Sequence, residues 1–167
     1  MTPPYEYTCG ILTLSDKGSQ GLREDTSGPM LIELLGAAGF SNLAYQIIAD
    51  DFFTIKQTLT DWADQKKIDL IVTTGGTGLS PRDVTPEATS EILEKEIPGM
   101  SEAMRLESLK VTPHAMLSRG ICGIRKKSLI INLPGSQKAA KENIEAVLKA
   151  LPHAVDKIKG STKDCGG

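Results

Sequence analysis

The sequence predicts an α/β protein of three layers, in which a mostly parallel β-sheet carries helices on both of its faces. Strand-like runs of apolar residues alternate along the chain with longer helix-like segments, and turn residues separate them. This alternation is typical of βαβ units, whose strands are parallel and whose helices cover the sheet. The 167 residues contain no internal repeat and no low-complexity linker, so we expect residues 1–167 to form a single domain. A chain of that length buries roughly 70% of the surface that it exposes when unfolded.

A polar loop separates the first predicted strand from the first predicted helix. Cys9–Leu14 is an apolar run typical of a buried strand, and the loop Ser15–Ser27 follows it. Thr26 or Ser27 can cap the next helix, because their side-chain oxygens accept hydrogen bonds from backbone N–H groups. Gly39 predicts where this helix ends.

A second strand and an amphipathic helix come next. Leu43, Tyr45 and Ile47 alternate as the residues of a strand do. Asp50 and Asp51 then precede a helix, and aspartate is a favoured residue at that position. The apolar residues of the helix recur at every third or fourth position and are Phe52, Ile55, Leu59 and Trp62.

The middle of the chain adds a strand and two helices. Leu70–Thr73 reads as a third buried strand. Thr85 followed by Pro86 is typical of a cap and a first helical position, and it predicts a helix that reaches about Lys95. Pro98 breaks the chain before another helical segment.

The last third of the chain contains two strand-like and two helix-like segments. Ile121–Ile124 and Leu129–Leu133 form either a hairpin or two separately placed strands. Gln137–Leu151 is predicted as a helix with one apolar face. Pro152 interrupts this helix before a short final one.

Composition and charge exclude several classes of protein. The chain has 19 basic and 21 acidic residues and a net charge of −2, so no overall field attracts nucleic acid or an anionic membrane. No apolar run approaches the ~20 residues of a membrane span, and Met1–Tyr7 lacks the features of a signal peptide. Cys9, Cys122 and Cys165 are odd in number and form no CxxC pair, which argues against disulfides and a cysteine zinc site. We expect a cytoplasmic protein with no nucleic-acid or membrane partner, with Cys9 and Cys122 in the core and Cys165 in a frayed tail.

The segment TTGGTGLSPRDVTPEAT, residues 73–89, places glycines directly after the third predicted strand. Gly75, Gly76 and Gly78 let successive N–H groups turn toward a ligand without a Cβ in the way, and consecutive N–H groups bind anions. In an open parallel sheet, ligands bind beyond the carboxyl ends of the strands, where this loop lies. We therefore expect the loop to hold a phosphate.

The common nucleotide-binding and hydrolase patterns do not fit this loop. A Walker pattern needs a Gly-Lys-Ser/Thr run, but Ser80 and Pro81 stand there and no lysine does. A dinucleotide pattern needs a third glycine in place of Pro81. The sequence contains no Gly-x-Ser-x-Gly motif, and neither histidine has a visible partner. Covalent catalysis is therefore not predicted.

Three separated carboxylates, Asp16, Asp50 and Asp83, fall in strand-to-helix loops at the same predicted edge of the sheet. Hard oxygen ligands of this kind suit Mg²⁺, which takes one or two carboxylates together with phosphates and waters. A phosphate-binding loop beside such carboxylates predicts phosphoryl or nucleotidyl transfer by positioning and charge neutralisation.

Each of these signals also has a purely structural interpretation. Gly75–Gly78 can be a tight turn, and Asp50 or Asp51 can simply be a helix cap. Asp83 can pair with Arg82 or cap the helix that follows it. Only the joint placement of these residues at one edge of the sheet indicates a site.

The same residues carry a resemblance to a known family. TTGGTGLSPRDVTPEAT, together with LSDKGSQG near the start, resembles the signature of the molybdopterin-binding family, and in particular of its molybdopterin adenylyltransferases. The similarity continues through ESLKVTPHAMLSRGICGIRKKSLIINLPGS and extends from about Tyr7 to Lys159. That range is the expected core of the domain, with short flexible tails outside it. The resemblance implies the molybdopterin-binding fold and a homotrimer.

The resemblance also implies a reaction. Members of the family join the terminal phosphate of molybdopterin to AMP from Mg·ATP and release pyrophosphate, so Mg²⁺, ATP and molybdopterin are expected here. The chain has no molybdate-inserting domain, and its product is expected to pass to a separate protein. Two other functions stay open, namely a paralogous pterin-binding protein with little or no transferase activity and a scaffold or interaction domain.

Individual residues are implicated by their match to the family's motifs. Asp50 and Asp83 match acidic residues of the family's site and are implied to be catalytic and to bind the metal. Ser108, Ser118 and Asn132 match positions that help to hold the pterin or phosphate. The full set of positions implied to bind substrate is Ser15, Asp16, Thr74, Gly75, Gly76, Thr77, Gly78, Ser108, Ser118, Asn132, Pro134, Gly135 and Ser136.

Overall fold

A computed structural model describes residues 5–164 of the chain, so the predicted tail position of Cys165 lies outside the described residues. The strands are β1 Tyr7–Leu14, β2 Phe40–Ile48, β3 Leu70–Thr74, β4 Lys95–Glu96, β5 Cys122–Arg125 and β6 Ser128–Leu133. The helices are α1 Asp16–Ser19, α2 Ser27–Ala37, α3 Phe52–Asp64, α4 Thr85–Ile92, α5 Pro98–Leu109, α6 Gln137–Val147 and α7 Leu151–Ile158, with 3₁₀ turns at Pro113–Leu117 and Leu148–Ala150.

The strands form one six-stranded sheet in the order β2-β1-β3-β6-β5-β4. β1 pairs in parallel with both β2 and β3, and β3 pairs in parallel with β6. β5 is antiparallel to β6 and to the short β4 at the edge. The mostly parallel sheet is therefore confirmed. The open question about the last two strands is resolved as a hairpin that turns at Lys126, whose φ is 50°.

Helices cover both faces of the sheet, which confirms the three-layer prediction. On one face α2, α5, α6 and α7 pack on β1, β3 and β6, and the core contains Leu31, Leu35, Val72, Met104, Ile131, Ile144 and Leu151. On the other face α3 and α4 pack on the same strands, and the core contains Leu12, Ile55, Leu59, Trp62, Ile71, Ala88 and Ile130. No helix within residues 5–164 is long and apolar enough to cross a membrane.

Both cysteines predicted for the core are buried there. Cys9 lies on β1 and Cys122 on β5, and neither is bonded to another cysteine. Burial raises the pKa of the Cys9 thiol to about 12 and that of Cys122 to about 11. Because only the thiolate is a good nucleophile, these groups are chemically inert at neutral pH.

Two predicted helix starts are wrong in their capping residue. Neither Thr26 nor Ser27 caps α2, because Asp25 accepts the N–H bonds of Ser27 and Gly28 through its Oδ1, at 3.1 and 3.0 Å. Thr85 is not the cap of α4 but its first residue, and its hydroxyl donates to Gly75 O at 3.0 Å. In both cases a contact outside the local sequence decides what the side chain binds.

Two predicted helices are shorter than expected. α4 ends at Ile92 instead of about Lys95, because Lys95 enters the edge strand β4 and pairs with Ile124. α6 ends at Val147, four residues before Leu151, and a 3₁₀ turn joins it to α7. Pro152 therefore lies within the first turn of α7, where its missing N–H costs nothing.

Gly36 offers a stability prediction. It lies within α2 without a positive φ, and a Cβ added there would meet no atom within 4 Å. Gly36→Ala should raise the free energy of unfolding by about 0.5–1 kcal/mol, because alanine loses less backbone entropy on folding. Chemical denaturation checks this, with Gly39→Ala as the contrast, because Gly39 has a φ of +94° and alanine there should destabilise. Equal effects of the two substitutions would contradict the argument.

Candidate active site

The polar loops predicted from the sequence meet at the carboxyl ends of β1 and β3. The chain leaves β1 for β2 on one side and later returns to β3 on the other side, so the sheet order reverses between these two strands. Open α/β sheets bind their ligands in the crevice at such a reversal. Here the crevice receives Ser15 and Asp16 from the loop after β1 and Gly75–Gly78 from the loop after β3.

The glycine loop has the geometry of an anion-binding turn. Gly75 and Gly76 have φ values of +105° and +67°, a region that favours glycine. The consecutive N–H groups of Gly76, Thr77 and Gly78 have no acceptor among residues 5–164, whereas Gly75 N–H donates to Leu133 O at 3.0 Å. Three adjacent free donors form the concavity in which backbone groups bind a phosphate.

The first turn of α4 fixes the conformation of this loop by hydrogen bonds to its carbonyl groups. Thr85 donates its hydroxyl to Gly75 O at 3.0 Å and its N–H to Gly76 O at 3.2 Å. Thr74 at the end of β3 donates its hydroxyl to Pro134 O at 2.7 Å. The carbonyl groups of the loop are thus bonded within the protein, while its N–H groups stay available to a ligand.

Two hydrogen bonds connect Asp16 and Asp50, and in each of them the backbone N–H of one residue donates to the carboxylate of the other. Asp16 N–H donates to Asp50 Oδ2 at 3.2 Å, and Asp50 N–H donates to Asp16 Oδ1 at 3.0 Å. The Arg82 guanidinium forms two further bonds with Asp16, through Nε at 3.0 Å and Nη2 at 2.7 Å. The alternative in which Arg82 pairs with Asp83 does not hold, since the partner of Arg82 is Asp16, which is distant in sequence.

The two carboxylates differ in their affinity for a proton. The hydrogen bonds and charge of Arg82 lower the pKa of Asp16. Burial raises the pKa of Asp50, and the negative charges of Asp16 and Asp83 raise it further. Asp50 is therefore the carboxylate that gains most from a cation.

Asp51 and Asp83 have distinct local roles. Asp51 caps α3, since its Oδ2 accepts the Thr54 N–H bond at 2.9 Å, so the capping interpretation holds for Asp51 and not for Asp50. Asp83 accepts the Ser80 N–H bond through Oδ2 at 2.9 Å, and it does not cap α4. This bond holds the Asp83 carboxyl group against the glycine loop, 2.8 Å from where a Cβ at Gly78 would lie.

Asp50 fits the magnesium ion that the resemblance implies. Its Oδ1 is buried and has no hydrogen-bond partner among the described residues. A buried carboxylate oxygen without a donor is costly unless a cation or proton binds it. No group of three or more His, Cys, Asp or Glu side chains within residues 5–164 forms a metal site. Since Mg²⁺ takes most of its ligands from phosphates and water, Asp50 with Asp83 nearby is a sufficient protein contribution.

Two cavities adjoin the glycine loop and share part of their lining. The first, the polar cavity, has a volume of about 560 Å³, and its charged lining residues are Asp16, Lys17, Arg23, Glu24, Asp25, Asp50 and Asp83. The second, the apolar cavity, has a volume of about 640 Å³, and its apolar lining residues are Leu79, Ala115, Leu117, Pro134 and Ala139. The shared wall consists of Gly76, Asp83, Gly135 and Ser136.

Most residues implicated by the sequence lie in these cavities. Those in the polar cavity alone are Ser15, Asp16, Asp50, Thr74 and Gly75. Those in the apolar cavity alone are Thr77, Gly78, Ser108, Ser118 and Pro134. The remaining four, Gly76, Asp83, Gly135 and Ser136, form the shared wall, so both predicted catalytic carboxylates lie at or beside the junction.

Asn132 is the exception, because it lines neither cavity. Its Nδ2 donates to the hydroxyl groups of Thr73 and Thr89 at 3.0 and 3.1 Å, and its Oδ1 accepts the Ile121 N–H bond at 3.2 Å. The side chain is buried between β6, β3 and α4, and its hydrogen-bonding groups are used within the protein. Its role in the structure is to connect these elements, and the contact with substrate that the resemblance implies stays a prediction.

Asn132→Ala should therefore act on stability more than on binding. The substitution leaves three buried polar partners without Asn132, and the free energy of unfolding should fall by about 1–3 kcal/mol. Ligand affinity of the folded protein should stay near that of the wild type. Thermal melting and a pterin titration measure the two effects, and a stable variant with weakened binding would restore the contact that the resemblance implies.

Sequence reasoning missed several lining residues. Arg105 and Glu142 lie in the apolar cavity, and Lys17 and Asp25 lie in the polar cavity. Arg105 and Glu142 are ordinary polar positions of amphipathic helices, and only the packing of α5 against α6 brings them together. For Asp25 a signal existed, because it stands three residues before Gly28, a spacing at which aspartate caps a helix.

Comparison with known proteins agrees with this geometry. Residues 10–153 match the family model described as the probable molybdopterin binding domain. The molybdopterin adenylyltransferase of Helicobacter pylori is 47% identical over 154 residues, which cover 91% of this chain and 88% of that protein. The molybdenum cofactor synthesis protein cinnamon of Drosophila melanogaster is 50% identical over 153 residues, which cover 90% of this chain but 25% of that longer protein.

A solved structure shows the same fold. The molybdopterin biosynthesis enzyme MoaB of Thermus thermophilus is 51% identical and superposes with a TM-score of 0.88, with 93% of this chain and 98% of that chain covered. The matched residues 10–153 include most of β1, all of β3, the glycine loop and the shared wall. The chain belongs to the molybdopterin-binding domain family.

Proposed function

We propose that this protein is a molybdopterin adenylyltransferase, which joins AMP from ATP to the terminal phosphate of molybdopterin and releases pyrophosphate. The observation that carries the proposal is the pair of cavities with one shared wall. A protein that only binds one pterin needs one cavity, whereas a transferase must bring two substrates together. The name of the Helicobacter pylori relative, which matches over most of both chains, supports the same reaction.

The character of each cavity suggests which substrate it takes. The apolar cavity suits the flat pterin ring system, and the polar cavity with Lys17 and Arg23 suits the phosphates of ATP. The phosphate of molybdopterin then lies at the shared wall, where the free N–H groups of Gly76, Thr77 and Gly78 can bind it. This placement brings the two reacting phosphates to the same loop.

The chemistry requires no nucleophile from the protein. An oxygen of the molybdopterin phosphate attacks the α-phosphorus of ATP, a new P–O bond forms, and the bond from the α-phosphorus to the bridging oxygen of pyrophosphate breaks. The free N–H groups of the loop stabilise charge on the phosphoryl oxygens, and the fixed loop holds the two phosphates in line. Mg²⁺ bound at Asp50 and Asp83 would supply charge neutralisation between the ATP phosphates. Without a cation these carboxylates would repel both substrates.

A transfer assay tests the proposal. Purified protein is incubated with molybdopterin and ATP labelled at the α-phosphate, with and without Mg²⁺, and both adenylyl-molybdopterin and pyrophosphate are measured. We expect equal amounts of the two products, dependent on Mg²⁺ and molybdopterin. Pterin binding without pyrophosphate release would instead identify a pterin-binding paralogue. Absence of both would favour a scaffold or interaction domain.

The assembly and partners stay proposals of the same kind. A homotrimer, transfer of the product to a separate molybdate-inserting protein and a cytoplasmic location follow from the resemblance and the composition. Exposed apolar side chains between Leu106 and Leu117, on α5 and the turn after it, offer a surface that subunit contacts could bury. Light scattering of the purified protein measures the mass, and a monomer at micromolar concentration would contradict the trimer.

A further inference from the structure

The apolar cavity contains two opposite charges that do not neutralise each other. Arg105 on α5 and Glu142 on α6 both line it, and both side chains are partly buried. Neither residue takes part in an ion pair within residues 5–164. Removing a charge from water without a partner costs free energy, so a ligand that complements both groups is favoured in this cavity.

Arg105 is held in position by the protein. Its Nη1 donates to Ser118 O at 3.3 Å and to Gly120 O at 3.0 Å. Its other guanidinium N–H groups have no acceptor in the part of the chain that the structure describes. Arg105 therefore offers a fixed donor to a ligand in the cavity.

Glu142 offers an acceptor beyond the reach of the substrate phosphate. Its carboxylate accepts no hydrogen bond from residues 5–164, whereas its neighbour Asn143 donates to Ser108 across the same cavity at 2.5 Å. Glu142 stands six residues after Ser136 of the shared wall, and a helix rises 1.5 Å per residue, so the two lie about 9 Å apart along α6. This separation is too long for a phosphate at the wall to bridge, but a ring system attached to that phosphate can span it.

We propose that Glu142 recognises the pterin ring by accepting hydrogen bonds from its 2-amino group and N3–H, while Arg105 donates to the adjacent 4-oxo group. The assignment rests on the proposed function. A carboxylate has two oxygens that accept two parallel N–H bonds, and the pterin presents two such donors side by side next to one acceptor. Adenine presents an acceptor nitrogen beside its amino group, so the same carboxylate repels it. Glu142 is thus a specificity-determining residue that keeps ATP out of the pterin cavity.

Paired ligands test this assignment. The probes are the phosphate ester of 6-hydroxymethylpterin and the same ester of 6-hydroxymethyllumazine, which carries an oxygen in place of the 2-amino group. Both are fluorescent, so binding to the protein is followed by titration. Wild-type protein should prefer the pterin ester at least about tenfold, since a site built for a donor leaves its acceptor unpaired with the analogue. Glu142→Gln should weaken binding of the pterin ester at least about tenfold and abolish the preference for it.

A matched control and the melting temperature separate recognition from a structural role. Glu145 lies on the exposed side of the same helix, and the Glu145→Gln variant should bind both esters as the wild type does. A structural role for Glu142 would lower the melting temperature and weaken both esters equally, which would overturn the assignment. Wild-type protein without a preference would overturn it as well, while leaving the proposed function intact. Wild-type protein that binds neither ester would remove the pterin cavity itself, and with it the proposed function.

Discussion

Asp50→Asn should lower the rate of adenylyl transfer at least about 100-fold without lowering the stability of the protein. The carboxylate has a buried Oδ1 without a hydrogen-bond partner among the described residues, and Asp16 and Asp83 add negative charge around it. An amide of the same shape keeps the packing but loses the charge that binds a cation. Transfer assays at increasing Mg²⁺ concentration measure the effect, and the variant should stay slow at concentrations that saturate the wild type.

The stability of the Asp50→Asn variant is a second measurement, and the pKa of Asp50 predicts its direction. Because the folded state raises that pKa above 3.8, folded protein holds the proton more tightly than the unfolded chain does. Ionisation of Asp50 therefore costs stability, and this cost develops as the pH rises from 3.8 through the folded pKa. At pH 7 the variant should be at least as stable as the wild type.

Asp51→Asn is the matched control for Asp50→Asn. Asp51 caps α3, and asparagine caps about as well as aspartate, so stability and transfer should both stay near the wild-type values. A loss of transfer in the Asp51 variant, together with normal activity in the Asp50 variant, would show that the catalytic and capping roles are exchanged between the two residues.

Gly76→Ala should destabilise the protein by about 3 kcal/mol, the sum of a positive-φ cost and an overpacking cost. The φ of Gly76 is +67°, and a Cβ there would collide with Thr85 Oγ1 and lie 3.0 Å from Asp50 Oδ1. The Thr85 hydroxyl cannot move away freely, since it is bonded to Gly75 O. Thermal melting should show a decrease of roughly 6–12 °C.

The same substitution should also weaken ligand binding by the protein that remains folded. A shift of the loop misaligns the N–H groups of Gly76, Thr77 and Gly78, which are the proposed phosphate donors. Gly99→Ala is the control, because a Cβ at that position in α5 meets no atom within 4 Å. Unchanged pterin affinity in a destabilised Gly76 variant would show that the loop is a structural turn and not part of the site.

Local sequence patterns predicted the parts of the fold that depend on neighbouring residues. β1, β3 and α3 follow from apolar periodicity, and the Asp51 cap follows from an acceptor side chain that stands three residues before the N–H group that donates to it. The hairpin of β5 and β6 remained undecided, because a strand pattern carries no information about the direction of its partner. Thr85 was misassigned for a similar reason, since its hydrogen-bond partner Gly75 belongs to a loop ten residues earlier.

The site residues that follow a strand were predicted from the sequence. Those that reach the site through the packing of helices were missed. Asp16, Asp50 and the glycine loop follow strands, and the fold class alone brings the ends of parallel strands to one edge. Glu142 reaches the apolar cavity only because α6 packs against α5, and the sequence contains no mark of that contact. Asn132 lies within β6 and was implicated only by its match to the family's motif, and its hydrogen bonds in the structure are all internal.

The two bonds from Thr85 to the glycine loop have a consequence for the dynamics of the free protein. The amide hydrogens of Gly75 and Thr85 are bonded to Leu133 O and Gly76 O, so they should exchange slowly with deuterated solvent. Those of Gly76, Thr77 and Gly78 have no acceptor among the described residues and should exchange rapidly until a phosphate binds. Because the backbone that carries them is already held in shape, the ligand loses little affinity to the ordering of the loop. Addition of ligand should therefore slow exchange at these three amides while leaving the conformation of the loop unchanged.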